Sequence, residues 1–270
     1  MGEPVPVSFT APVAVGGTAP VSVTCSPTSG ATLPLGTHQV TCNAEDTRGQ
    51  RATCGFAVTV RAIPRLERTR FLTYGDSLTE GKLSLKVSLL VDSPSHSYPA
   101  KLTTLLRDRY TSQDITVFNE GFGGERASES YPRFRGALST HRPEAVLLMH
   151  GVNDINATLL PGIQGTANAI EELIKESVRS GHATFVATLP PLGPGPKAFC
   201  TDCVEPLNDL IRDLAAAKGA VLVDVYAAWG DRTDLMGADG IHPNEAGYQV
   251  IAEAFFAAIR RHLEIDLPSP

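Results

Sequence analysis

Ser77 stands in the segment Tyr74-Gly75-Asp76-Ser77-Leu78-Thr79, directly after the apolar run Phe71-Leu72-Thr73. Such a run reads as a β-strand, so the serine sits where a strand ends and the chain turns, with its hydroxyl at the edge of a sheet. A serine hydroxyl is a poor nucleophile at neutral pH and needs a base. Far downstream, Asp239-Gly240-Ile241-His242-Pro243 places an acid shortly before a histidine, in a loop ahead of a helical pattern. A neutral imidazole accepts the serine proton and later returns it to a leaving group, while a carboxylate on its other nitrogen fixes tautomer and orientation. Ser77, His242 and Asp239 are therefore the candidate nucleophile, base and orienting acid. Taken alone, Ser77 reads as an ordinary helix N-cap and Asp239 as a turn former before Gly240. The remaining histidines, His38, His96, His141, His150, His182 and His262, lack this setting and read as surface or packed residues.

Attack on a carbonyl also needs donors for the negative charge that develops on its oxygen. Asn119-Glu120-Gly121-Phe122-Gly123-Gly124 follows a strand candidate, and glycine lets a backbone N–H approach a ligand closely. The bland reading is a flexible turn; the glycine spacing does not fit a dinucleotide fingerprint. His150-Gly151-Val152-Asn153-Asp154 follows another strand candidate, and the Asn153 amide can donate a hydrogen bond without adding charge. The alternative is a turn-forming Asn-Asp pair.

Elements must bring these distant residues together. Strand-like apolar runs occur at 70–75, 115–119, 144–150, 183–189 and 220–225. Helical spacing recurs between and after them, in Ala167, Ile170, Leu173, Ile174 and Val178, in Leu207, Ile211 and Leu214, and in Val250, Ile251, Ala254, Phe255, Ala258 and Ile259. Alternating strands and helices predict a five-stranded parallel sheet covered on both faces. Ligand sites in such sheets lie beyond the carboxyl ends of the strands. Ser77, Gly124, Asn153 and His242 all follow strand candidates or lie in loops, so they can meet at one edge.

The first 62 residues are different. Val21-Ser22-Val23-Thr24-Cys25, His38-Gln39-Val40-Thr41-Cys42 and Cys54-Gly55-Phe56-Ala57-Val58-Thr59-Val60 alternate like half-buried strands, with Thr47-Arg48-Gly49-Gln50 as a hairpin turn. The predicted organisation is a small all-β module at 1–62, a linker at 63–67 and an α/β domain at 68–270. Basic and acidic residues balance within 1–62, so the net charge of −6 sits on the remainder. That charge excludes a nucleic-acid footprint. Hydrophobic content of 42% supports a proper core, and no apolar run approaches the roughly 18 residues that span a bilayer. The opening Met1-Gly2-Glu3-Pro4 does not read as a signal peptide, yet the early cysteines Cys25, Cys42 and Cys54 at β-rich spacing favour an oxidising compartment.

Two resemblances follow. Cys25-Ser26-Pro27-Thr28-Ser29-Gly30, Leu35-Gly36-Thr37, Val40 to Asp46 and Ala52 to Phe56 resemble the hyalin-repeat (HYR) family, over most of 7–60. The resemblance implies an immunoglobulin-like β-sandwich, usually in extracellular or surface proteins. With an early partner cysteine lost, it favours a Cys25–Cys42 disulfide with Cys54 left over; Cys42–Cys54 across the hairpin is the rival. Gly75-Asp76-Ser77-Leu78, Gly124, Gly151-Val152-Asn153-Asp154 and Asp239-Gly240-Ile241-His242-Pro243 resemble, in order, the blocks of the SGNH (GDSL) hydrolase family, over about 68–264. This implies a flavodoxin-like three-layer α/β/α sandwich and hydrolysis of a small-molecule ester through an acyl-enzyme, with no metal or cofactor. It carries over Ser77 as nucleophile, His242 as base and Asp239 as orienting acid, with the Gly124 N–H, Asn153 Nδ2 and Ser77 N–H as oxyanion donors. Asp76 and Asp154 are expected to be structural. Gly123 departs from the pattern, standing where members often carry Ser.

Two further segments bear on specificity. Gly81 to Ser97 carries Leu83, Leu85, Val87, Leu89, Leu90 and Val91 beside the serine and is read as an acyl-chain loop or as a strand or loop packing on the domain or on the β-module. Pro190 to Cys203 is stiffened by its prolines, and Cys200 and Cys203 are expected to close a small disulfide. Asn156-Ala157-Thr158 is read as a chance match to a glycosylation sequon. The expectation is a bacterial, secreted or envelope-associated carboxylic-ester hydrolase. A carbohydrate O-acetyl esterase or an acyltransferase of the same chemistry is the alternative. The rival from another class is a surface-binding protein with an inert hydrolase domain. A glycan or a surface protein is the candidate partner of the module, which otherwise braces or spaces the hydrolase.

Overall fold

The computed structural model describes residues 4–61, 63–86 and 89–265. Val87 and the expected domain ends at 1–3, 62 and 266–270 lie outside them. The chain divides into two compact units, one within the first 64 residues and one spanning Arg65–Glu264.

In the first unit, β2 (Ser22–Ser26), β4 (Gly36–Glu45) and β5 (Arg51–Val60) form an antiparallel sheet in the order β2-β4-β5, while β1 (Val5–Pro6) pairs with β3 (Thr32–Leu33). Strands β4 and β5 are longer than the alternation alone predicts, running in register from Gly36↔Val60 to Glu45↔Arg51. The turn between them is held by Asp46, whose Oδ1 accepts from the N–H groups of Arg48 and Gln50 at 2.9 and 2.8 Å. Such self-bonded Asp turns are a common local device. The disulfides join Cys25 to Cys42 and, in the other unit, Cys200 to Cys203; Cys54 is free and exposed.

The second unit is built on five parallel strands: β6 (Arg70–Gly75), β9 (Thr116–Gly121), β10 (Ala145–Met149), β11 (Ala183–Ala187) and β12 (Val221–Val223). Their spatial order is β12-β11-β10-β6-β9. All five residues of β10 are buried, as expected of a central strand covered on both faces. On one face, α2 (Tyr98–Arg109) packs on α8 (Glu245–Leu263), where the rings of Tyr98 and Phe255 stack at 5.1 Å; the short α7 (Val225–Trp229) adjoins α8. On the other lie α3 (Tyr131–His141), α5 (Ile163–Arg179) and α6 (Val204–Lys218), joined by the short α4 (Val152–Thr158). This is the flavodoxin-like three-layer arrangement. Its strand order reverses between β6 and β10, and ligands in open α/β sheets bind beyond the strand ends at such a point.

Two details modify the expected layout. Leu66 and Glu67, placed in the linker, fall within the second unit: Leu66 is buried, exchanges two hydrogen bonds with the Gln113 amide at 2.7 and 2.9 Å, and bridges to Glu264. Of the two readings of the segment after the serine, the strand is the one observed. The segment forms a hairpin of β7 (Lys82–Lys86) and β8 (Leu89–Asp92), following α1 (Ser77–Glu80). Leu83 is buried, whereas Leu85, Leu89 and Leu90 face solvent.

Candidate active site

Ser77 opens α1, two residues past the end of β6. Asp76 caps that helix: its Oδ1 accepts from the Leu78 N–H at 3.0 Å, which orients the turn presenting the serine. His242 and Asp239 lie in the loop before α8. The His242 Nε2 is 2.8 Å from the Ser77 Oγ, and the His242 Nδ1 is 2.7 Å from the Asp239 Oδ2. These residues, 165 positions apart at the extremes, thus form one continuous hydrogen-bonded chain. All three are buried.

Asp239 is well supported. Its Oδ1 accepts from the N–H groups of Ile241 and His242 at 3.1 and 3.0 Å, so the loop wraps around its own carboxylate. Burial pushes the Asp239 carboxyl up, but the bonds from the His242 ring and from these N–H groups prevail and hold it well below the usual carboxylate range. The Asp239 N–H donates to the Ser84 Oγ at 3.0 Å, so the β7–β8 hairpin props the loop. Lys197 contributes an ammonium 3.2 Å from the Asp239 Oδ2. The Pro190–Cys203 segment that carries it is laced to the same loop, Gly193 N–H to the Gly240 carbonyl at 2.8 Å and Lys197 N–H to the Asp239 carbonyl at 3.1 Å. Asn156, in the sequon, is committed to this segment: its amide bonds the Lys197 carbonyl and the N–H groups of Phe199 and Cys200.

Gly124 and Asn153 follow the neighbours of β6. The strand ends are paired, Gly75 with Gly121 and with Met149, so the turns after β6, β9 and β10 emerge side by side. Gly124 has φ +82°, a left-handed conformation that costs glycine nothing, and is exposed. A Cβ at Gly123, the departure from the family pattern, would meet the far ends of two flexible side chains, Glu80 Oε2 at 2.6 Å and Lys82 Cε at 3.0 Å, which can shift to make room. The Asn153 Nδ2 donates to the Glu125 carbonyl at 2.9 Å. A primary amide has two N–H groups, so one remains for a ligand. Asp154 locks the same loop, accepting from the Ala127 N–H at 2.7 Å and from the Ser128 N–H and hydroxyl at 3.1 and 2.8 Å. Sequence reasoning did not single out Ser84, Lys197, Glu125 or Arg133, and placed His150 among ordinary histidines. None of them has a local signature.

A five-stranded flavodoxin-like sheet with a serine, histidine and aspartate chain at its carboxyl edge is an architecture of α/β hydrolytic enzymes. The sequence profile of the GDSL-like Lipase/Acylhydrolase family matches residues 73–250, and that of the HYR domain matches residues 2–60. The chain belongs to the GDSL-like lipase/acylhydrolase family. It is 26% identical over 131 residues to a multidomain esterase of Ruminococcus flavefaciens, covering 47% of this chain and 17% of that protein. It is 24% identical over 227 residues to an acetylxylan esterase of Xylanibacter ruminicola, covering 73% and 44%. The chain spans less than half the length of either relative. Among solved structures, the inhibitor-bound aryl esterase of M. smegmatis aligns with TM-score 0.61 at 22% identity, over 72% of this chain and 99% of that one. The acetylxylan esterase Axe2 of Geobacillus stearothermophilus aligns with TM-score 0.56 at 20% identity, over 73% and 96%. At these identities the structures speak for the fold.

Proposed function

We propose that the protein hydrolyses carboxylic esters through a covalent acyl-enzyme on Ser77. The observation that carries this reading is the unbroken chain from the Ser77 Oγ to His242 to Asp239, with contacts of 2.8 and 2.7 Å. The His242 Nε2 takes the Ser77 proton as the Oγ bonds to the ester carbonyl carbon. The carbonyl oxygen, now an anion, is met by the N–H groups of Ser77 and Gly124 and by the free Asn153 Nδ2–H. Collapse of this intermediate breaks the bond to the alkoxide, which leaves with the proton from His242. A water molecule then gives a proton to His242 and its oxygen to the acyl carbon, and the carboxylic acid departs with Ser77 restored. Asp239 stays ionised throughout and holds the imidazole in the required tautomer.

The similarity to acetylxylan esterases supports a second, narrower reading: an O-acetyl group on a carbohydrate as the ester. The HYR-like module, with a glycan or surface protein as its partner, and the disulfides fit a secreted or envelope-associated setting. No helix among the described residues is long and apolar enough to cross a membrane.

Ser77→Ala is expected to abolish turnover of p-nitrophenyl acetate with folding intact. Asn153→Ala is expected to lower kcat by about a hundredfold or more with little change in KM. Undiminished turnover by Ser77→Ala would overturn the mechanism. Release of acetate from acetylated xylo-oligosaccharides, set against simple and long-chain esters, tests the narrower reading.

A further inference from the structure

His150 directly follows the central strand β10 and is almost wholly buried, yet no step of the proposed reaction uses it. Its ring lies between two carboxylates from the neighbouring strand ends. The Nδ1 is 3.4 Å from the Asp76 Oδ2, and the Nε2 is 3.3 Å from the Glu125 Oε2. Asp76 precedes the nucleophile and caps its helix; Glu125 follows Gly124. From α3, Arg133 forks onto Glu125, with Nε to Oε1 at 2.7 Å and Nη2 to Oε2, and also reaches Glu120 and the Gly75 carbonyl. From β6, the Tyr74 ring packs 6.0 Å from the imidazole and 4.1 Å from the guanidinium carbon.

The charge state of the ring follows from these neighbours. Arg133 is committed to Glu125 and Glu120. Among the described residues the Asp76 Oδ2 has no hydrogen-bonded donor, and it faces the His150 Nδ1. A carboxylate oxygen buried without a partner is costly. The Gly151 N–H also lies 3.0 Å from the Nδ1, which would suit a neutral ring. That contact joins consecutive residues. A neutral ring carries one N–H and can answer only one carboxylate: on Nδ1 it leaves a bare Nε2 against the Glu125 Oε2, and on Nε2 it leaves the Asp76 Oδ2 without a donor. The protonated ring answers both carboxylates. Burial pushes the imidazole down, but Asp76 and Glu125 outweigh it and bring it up to about 9.

We infer that His150 is a positioning residue: as a buried cation it ties the Asp76–Ser77 turn to the Gly124–Glu125 loop and so sets the oxyanion donors. This deepens the proposed function and rests on it. The coupling has a direct route, because the Asn153 Nδ2 bonds the Glu125 carbonyl. Displacing Glu125 therefore moves the Gly124 N–H and the Asn153 amide together. When His150 loses its proton it can donate to only one of the two carboxylates, so the tie between the Asp76–Ser77 turn and the Gly124–Glu125 loop is broken, although Arg133 still holds Glu125.

The test uses the full chain with p-nitrophenyl acetate, comparing the parent, His150→Gln, Glu125→Gln and the double variant across pH 6 to 10.5. His150→Gln should lower kcat at pH 7 by about tenfold or more, less than the loss of an entire oxyanion donor, with KM nearly unchanged. The parent's kcat should fall at high pH with an inflection near 9, the value to which the imidazole is raised. That fall should be absent in His150→Gln. The double variant should be no worse than the more impaired single variant, as coupled residues behave. A kcat within twofold of the parent, an alkaline fall retained in His150→Gln, additive losses, or a loss confined to KM would each overturn the inference. If His150→Gln does not fold, Glu125→Gln decides: removal of one carboxylate should move the alkaline fall to lower pH, and an unmoved fall overturns the inference. Ser77→Ala, run in parallel, separates the two failures, since only its retained turnover would remove the esterase reading itself.

Discussion

The Lys197 ammonium lies 3.2 Å from the Asp239 Oδ2, the same oxygen that receives the His242 Nδ1–H at 2.7 Å. A single carboxylate oxygen is thus shared between the His242 imidazole and a cation from a separate loop. The lysine thereby ties the loop that carries His242 and Asp239 to the Pro190–Cys203 segment.

Lys197→Met should leave the fold intact and lower kcat/KM modestly, because the loop that orients His242 loses one of its anchors. The Lys197 side chain is 41% exposed, so solvent screens the effect. A change of up to about fivefold in kcat/KM is the expected scale, consistent with exposed pairs worth about 1 kcal/mol or less. It should shrink in 1 M salt, where the Debye length is only about 3 Å. Measurements of kcat/KM at low and high salt check this, and identical values for parent and variant would remove Lys197 from the support of the site.

How much of this was visible in the chain depends on how local each signal is. The strands β6, β9 and β10 are written as short apolar runs, and Ser77, Gly124 and Asn153 each follow one of them within a few residues. His242 and Asp239 share one tight loop. Such features survive translation into sequence because their spacing is short. Lys197, Ser84, Glu125 and Arg133 act through contacts made only after the sheet has assembled, so no spacing announces them. His150 is instructive: it looks like any histidine until the registers Gly75↔Gly121 and Gly75↔Met149 bring Asp76 and Glu125 to either side of it. The β7–β8 segment was left between two readings: its leucines beside the serine suit a substrate loop, while a strand packing on the domain was the alternative, and the strand is what forms, its Ser84 hydroxyl supporting Asp239.

The cysteines of the first unit raise a separate expectation. Cys25, Cys42 and Cys54 face one another across three adjacent strands, Cys25↔Cys42 and Cys42↔Cys54. In an antiparallel sheet a central residue has its narrow partner on one side and its wide partner on the other. The Cα atoms of Cys25 and Cys42 are 4.0 Å apart, which marks the narrow pair and explains why Cys54 is the one left free. The wide pair is still at bridging distance, with Cα atoms typically about 5.5 Å apart. Cys25→Ala should therefore form Cys42–Cys54 and retain most of the module's stability, whereas Cys42→Ala, which leaves no pairing across the sheet, should lose about 3 kcal/mol. Peptide mapping without reductant and urea unfolding of both variants check this. Equal destabilisation, with no Cys42–Cys54 peptide from Cys25→Ala, would show that the wide pair does not close.

A last expectation concerns the far end of the hydrolase unit. Glu264 receives a two-pronged bond from Arg109, both contacts at 2.7 Å, and a bond from the Tyr110 hydroxyl, joining the ends of α2 and α8. The Arg109 bonds, with smaller help from Tyr110 and Arg260 and against some burial, bring its carboxyl down to about 2 from an ordinary 4.5. A carboxyl whose folded value is depressed stabilises the fold above its unfolded value, and the contribution disappears as pH falls through the folded value. Glu264→Gln should therefore cost about 1 kcal/mol at pH 7, a figure kept small because both partners are partly exposed. The gap between parent and variant should be constant above pH 4.5 and close as the pH approaches 2. Trp229, buried and the single tryptophan of the chain, reports on this unit by fluorescence in urea titrations at each pH. Comparing parent with variant cancels the carboxylates that titrate in both. A gap that persists unchanged at pH 2 would mean that the Glu264 charge contributes nothing and that the clamp holds through packing alone.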